Sequence, residues 1–183
     1  GPESLGTNIS PDTRWIAYQS TTTGRHEVWV QPLGRSGPAV HLRQATTDVH
    51  LACRSDADRD RVAAEIAAET GRRCIAIPSD TTDDGSVRAM VQRAHQELGR
   101  IDILVNGAAR VQAGRPPAIE DTTDQLFWDE MNTKVLGYLR CARAVAPIMR
   151  EQGWGRIINI SGLAARQSGT VIGSMRNVAV VAM

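Results

Sequence analysis

Residues 100–109 read RIDILVNGAA. The run from Ile101 to Val105 is almost wholly apolar and stops at an Asn-Gly pair, which reads as a short strand covered on both faces, as strands of a parallel sheet are. Working outward supports that reading. Upstream, Val87, Met90, Val91, Ala94 and Leu98 recur at helical spacing and Gly99 stops the helix; before them lies a strand over 74–77. Further back, Ser55 caps a helix reaching about Thr70, with Asp58 at its third position and Gly71 after it, and a strand covers 49–53. Downstream, the loop VQAGRPPAIEDT leads into a long helix over 123–152, which Pro147 should bend, and then a strand over 156–160. This alternation of strand and helix predicts an α/β domain, a parallel sheet with flanking helices, over 47–183.

Residues 1–46 have a different composition, rich in Ser, Thr, Gly and Trp, and form a leader. WIAYQS (15–20) and HEVWVQ (26–31), separated by TTTGR, carry a hairpin signal; a disordered leader is the alternative.

The formal charge of +1 gives no electrostatic case for nucleic acid, because arginines are scattered among as many acids. Lys134 is the single lysine among 21 basic residues. Cys53, Cys74 and Cys141 form no CxxC pair, so no metal set is expected, and they fall in apolar stretches, which fits a reducing cytoplasm. No signal peptide and no membrane span is expected, since nowhere do about 18 apolar residues run together.

Two turns carry a family resemblance: Asn106-Gly107-Ala108-Ala109 after one strand, and Asn159-Ile160-Ser161-Gly162 after another. From about Asp48 onward the chain resembles the short-chain dehydrogenase/reductase family. The resemblance implies a Rossmann-like sheet, a nicotinamide cofactor, NADP or NAD, and hydride transfer to or from a small-molecule carbonyl or alcohol. It implies that Asn106, Gly107 and Ala108 pass under the cofactor, that Asp80 with Thr81 meets the adenine, and that Arg54, at the ribose end of a strand, favours NADP. Each of the last three has a plainer reading, as a solvated arginine before a helix cap or as residues of a helix-starting turn. Residues 10–33 resemble one repeat of a WD40-like, TolB-type propeller.

The family's proton relay uses a Tyr, a Lys four residues later, a Ser and a helix Asn. No Tyr follows Tyr138 and no Lys follows Lys134. Aligning the tail by its apolar pattern puts Gly173 at the Tyr position and Asn177 at the Lys position. Ser161 is the remaining candidate serine, either catalytic or a strand-end hydroxyl satisfying the backbone. Lys134 falls at the helix Asn position, unless a shift of two puts Asn132 there. One turn from Tyr138, Lys134 is either half of an acid/base pair or a surface side chain reaching into solvent.

No GxGxxG occurs; SGTVIG at 168–173 matches only part of that spacing. With neither a glycine-rich loop nor the family's first, central strand, the expectation is impaired or lost catalysis in an incomplete domain. A nucleotide-binding pseudoenzyme and a non-functional fusion or fragment product are the alternatives. The missing strand should leave two half-sheets with open edges, unless a leader strand such as 26–31 fills the gap. Assembly between copies, if it occurs, is expected through the 123–152 helix.

Overall fold

The computed structural model describes residues 4–9, 15–20, 27–32, 40–41, 49–53, 56–110, 117–167 and 169–183. Four strands, β1 (Ser4–Ile9), β2 (Trp15–Ser20), β3 (Glu27–Pro32) and β4 (Val40–His41), form an antiparallel meander. Trp15 pairs with Pro32 and Ser20 with Glu27, so the expected hairpin forms between β2 and β3. Because β3 pairs with β2 on one side and β4 on the other, it is not donated to the parallel strands, and that expectation is corrected.

The α/β part follows the alternation read from sequence. Strand β5 (Val49–Cys53) runs parallel to β6 (Cys74–Pro78), joined by helix α1 (Asp56–Thr70). Helix α2 (Asp84–Leu98) begins at Asp83, whose carboxylate accepts the Ser86 amide at 2.5 Å, and ends at Gly99 with φ +75°, a conformation that favours glycine. Strand β7 (Ile103–Asn106) runs parallel to β8 (Arg156–Asn159). Between them lie α3 (Asp124–Met131), a π-helical turn (Asn132–Leu136) and α4 (Gly137–Glu151); α5 (Val171–Val181) follows β8. None of the described helices is long and apolar enough to cross a membrane.

Two readings are corrected by local bonding. Strand β7 starts later than the apolar run does. The main chain of Ile101 instead bonds the Gln152 side chain, its N–H donating at 3.0 Å and its carbonyl accepting at 2.9 Å. Nor is β7 covered throughout: Ile103 is 55% exposed, and no described strand pairs with the edge of β7 opposite β8. The parallel strands therefore form two separate pairs, β5–β6 and β7–β8.

The second correction concerns the long helix, which is not one continuous α-helix, since the π turn interrupts it. Side chains bond the carbonyls of this turn: Thr81 Oγ1 donates to Thr133 O at 3.1 Å, and Arg140 donates at 3.3 Å to Asn132 O, which also accepts the Gly137 amide. The same arginine donates to Thr81 O at 3.0 Å, tying the turn after β6 to the π segment. Gly137 is required there, because a Cβ would lie 2.9 Å from Thr81 Cβ.

Val91 of α2 packs on Val145 and Met149 of α4, with Leu104 of β7 and Ile157 of β8 against them. Each such side chain stabilises the fold by about 1.5–3 kcal/mol. This core fixes the C-terminal ends of β7 and β8 beneath α4 and α5.

Candidate functional site

Asn106 closes β7 with its side chain turned inward. Its Nδ2 donates to Asn159 Oδ1 at 2.9 Å and to Tyr138 O at 3.4 Å, while its carbonyl accepts the Ile160 amide at 2.9 Å. Tyr138 is 1% exposed and donates its hydroxyl to Ile160 O at 3.1 Å. Burial, with Cys141 adding to it, pushes its phenol far above the usual range. A phenol in that state, with its proton committed to a carbonyl, is no acid/base near neutral pH.

Lys134 does not reach into solvent. It is 5% exposed, its Nζ donates to Asn177 Oδ1 at 2.7 Å, and it stands 6.0 Å from the centroid of the Tyr138 ring. The acid/base pairing with Tyr138 is thereby corrected: the amine lies over the ring and bonds elsewhere. Burial lowers the Lys134 pKa to about 8, and the acceptor it bonds is a neutral amide.

Ser161 Oγ donates to the Asn177 carbonyl at 2.8 Å, the bond of a strand-end hydroxyl satisfying backbone. A Cβ on Gly162 would lie 2.8 Å from Asn177 Nδ2. Asn177 of α5 thus meets all three: the lysine, the serine and the glycine after it. Sequence reading placed Asn177 at the lysine position only as a loss of charge. Its role as the common partner depends on contacts across 43 and 16 residues of chain.

The turn after β6 is bonded both within itself and to the π segment. Asp80 Oδ1 accepts the Thr82 amide at 2.9 Å and the Thr82 hydroxyl at 2.8 Å, and the Asp80 amide donates to Ser86 Oγ at 2.9 Å. Asp80 thus bonds within the helix-starting turn, whereas the Thr81 hydroxyl donates to Thr133 O in the π segment. Gly107 differs, since a Cβ there would meet nothing within 4 Å. The turn Gly107–Ala108 therefore leaves open space against its backbone, which fits a flat cofactor ring. Arg54 lies outside the described residues. Thr170, from SGTVIG, caps α5 by accepting the Gly173 amide at 3.0 Å.

A cleft lies between α3 and the start of α5, lined by Pro117, Leu126, Glu130, Val171, Gly173 and Arg176 among others. Glu130 is 4% exposed and forms an ion pair with Arg176, whose pKa burial lowers. Sequence reading missed this pair. An acid four residues before a lysine looks like an ordinary surface i,i+4 pair, yet Glu130 turns to α5 instead.

Parallel β-α-β units with polar turns at the C-terminal ends of β7 and β8 define a Rossmann-type α/β domain. The family model for short chain dehydrogenases matches residues 34–174, and the chain belongs to that family. The match begins ahead of the motifs that carry the resemblance. The chain is 32% identical over 147 residues to the (2S)-[(R)-hydroxy(phenyl)methyl]succinyl-CoA dehydrogenase subunit BbsC of Thauera aromatica, covering 79% of this chain and 57% of that protein. It is 35% identical over 131 residues to the short-chain reductase protein NovJ of Streptomyces niveus, covering 71% and 49%. The chain thus spans about half the length of these relatives.

Among solved structures, a short-chain dehydrogenase from Streptomyces avermitilis superposes with a TM-score of 0.62 at 32% identity, covering 73% of this chain and 47% of that one. NAD+-bound xylitol dehydrogenase, at 22% identity, shares the fold with a TM-score of 0.69 over 74% of this chain and 52% of its own. The propeller likeness of residues 10–33 gains no support from these comparisons.

Proposed function

We infer that the chain, over 47–183, is an oxidoreductase domain of the short-chain type whose proton relay is impaired. The observation that carries this reading is the convergence of Lys134 and Ser161 on Asn177, at the ends of strands built as in the family. When bound, a nicotinamide dinucleotide supplies a hydride to a small carbonyl or accepts one from an alcohol. The open turn at Gly107 and Ala108 would bear its ring, and Arg54 would favour the 2'-phosphate of NADP. Asp80 and Thr81 would act only by shaping the turn on the adenine side, since their groups are engaged within the protein.

Proton transfer is where this chain falls short. Neither Gly173 nor Asn177 can exchange a proton near neutral pH, and the Ser161 proton is held by a carbonyl. Lys134 has a pKa suited to general acid work near pH 8, but its Nζ is committed to Asn177 Oδ1. A pseudoenzyme that binds nucleotide without turnover is the second reading, favoured by that same locking. Cys74 and Cys141 are unpaired thiols, which supports a reducing cytoplasm. Exposed Trp128, Leu139, Met175 and Val178 on α3, α4 and α5 support assembly between copies.

Titration calorimetry with NADPH and NADH, with circular dichroism on the same sample, tests the reading. Saturable binding that is tighter for NADPH and weakened by Arg54→Ala is expected. A folded chain that binds neither dinucleotide would rule out the oxidoreductase reading and the pseudoenzyme reading together.

A further inference from the structure

Strand β7 uses only half of its main chain for pairing. Asp102 O accepts the Arg156 amide at 2.8 Å and Asn106 O accepts the Ile160 amide at 2.9 Å, so the even-numbered residues face β8. Alternate residues of a parallel strand bond opposite neighbours, and the N–H and C=O groups of Ile103 and Val105 therefore point to the other edge. No described strand pairs there, and Ile103 is 55% exposed. Among the described strands β5 likewise pairs with β6 alone.

The helices set these two open edges opposite each other. Both α1 and α2 pack on β6, but α2 goes on to pack on α4 rather than on α1, so α1 and α2 cover opposite faces. Crossovers between parallel strands are right-handed. With α1 on one face, β6 lies to one side of β5; with α2 on the other face, β7 lies beyond β5 on the opposite side. Helix α4, on the face of α2, then puts β8 on the far side of β7, where it is found. The order is β6, β5, β7, β8, yet no ladder joins β5 to β7. Main-chain groups on both edges call for one strand between them.

We propose that the space between β5 and β7 is a docking slot for an extended apolar segment of another polypeptide, which inserts as a strand and bonds both edges. Its length is set by the two strands, four residues in β7 and five in β5. Its composition is set by its two faces: α1 lies on one side of the sheet and α2 and α4 on the other, which calls for apolar β-branched residues throughout and no proline. A second copy of this chain fits less well. Two β7 edges joined about a two-fold axis would pair only Ile103 and Val105 and leave both β5 edges open. The leader strands β1 to β4 pair only with one another. Because no dinucleotide takes part, the proposal stands or falls apart from the oxidoreductase reading.

Amide hydrogen exchange on the full chain, read by NMR, tests this with a capped Val-Ile-Val-Ile-Val peptide flanked by arginines. Circular dichroism establishes that the chain is folded. At saturation the Ile103 and Val105 amides, and alternate amides of β5, should exchange about tenfold or more slowly. The same peptide N-methylated at every second residue keeps its side chains and one hydrogen-bonding edge but loses the other, and it should bind about tenfold or more weakly. Ile103 and Val105 amides already protected in the dilute chain would mean that the chain fills the slot itself. Protection that rises with protein concentration, without peptide, would mean that a second copy does. Either result would overturn the proposal, as would a peptide that leaves both amides unprotected or a methylated peptide that binds equally well.

Discussion

The turn after β6 and the turn after β8 both end a parallel strand in small polar residues, yet Asp80 and Ser161 bond at different reach. Asp80 bonds Thr82 and Ser86, within six residues of itself, while Thr81 beside it is tied to the π segment. Among the described residues Ser161 Oγ bonds Asn177, on a helix that must first pack into place, and the same asparagine holds Lys134. A locally bonded turn forms with its own helix start. A turn bonded from a distance depends on the whole α4–α5 arrangement, and losses there should be larger and coupled.

Asn177→Leu should break the comparison most severely. It leaves the buried Lys134 amine without an acceptor while keeping the main-chain carbonyl for Ser161, and a loss of about 3–5 kcal/mol is expected from urea denaturation. A loss under about 1 kcal/mol would show that the amine finds water instead.

Next in size is a pH effect. The Lys134 pKa is about 8 when folded and about 10.4 when unfolded, so between these values the unfolded chain binds the extra proton. Stability conferred by losing that proton is absent below pH 8, where both states are charged, and grows as pH rises through the window, by up to about 3 kcal/mol. Cys74 and Cys141, whose pKa values burial raises, act in the opposite sense once unfolded thiols ionise. The difference between wild type and Lys134→Met isolates the lysine. Parallel stability curves from pH 7 to 10 would contradict this prediction.

Gly162→Ala should cost about 1–3 kcal/mol, because its Cβ would press on Asn177 Nδ2 at 2.8 Å. Combined with Asn177→Ser, which shortens that side chain, the cost should be less than the sum of the two single changes. Strict additivity would mean that the glycine and the asparagine do not share the space. The smallest effect belongs to the other turn: Asp80→Ala should lose about 1 kcal/mol, with no coupling to Asn177→Ser.

This contrast also explains what could be read in advance. The helices over α1 and α2, the strand pairs and the hairpin were legible because periodicity and glycine stops act within a few residues; Ser55, read as the cap of α1, lies outside the described residues. The inward turn of Asn106 was legible as a site position, but not its bond to Asn159 across 53 residues. The late start of β7 was hidden, since nothing local says that Gln152 takes the Ile101 main chain. The π turn was hidden too: its carbonyls are bonded by Thr81 and Arg140, each remote or on the following helix. The buried setting of Lys134 was hidden, because a single lysine on a helix carries no local sign of whether it faces solvent or core.

The most direct test of the central claim, that Lys134 is held inside on Asn177, uses that same singularity. Chain labelled with 13C,15N-lysine gives one side-chain signal, and its Cε shift can be followed from pH 6 to 11. A midpoint near pH 8 in the folded protein, moving upward in Asn177→Asp, is the expected result. A midpoint near about 10.4, that of a lysine in water, would contradict the buried lysine and the site built around it.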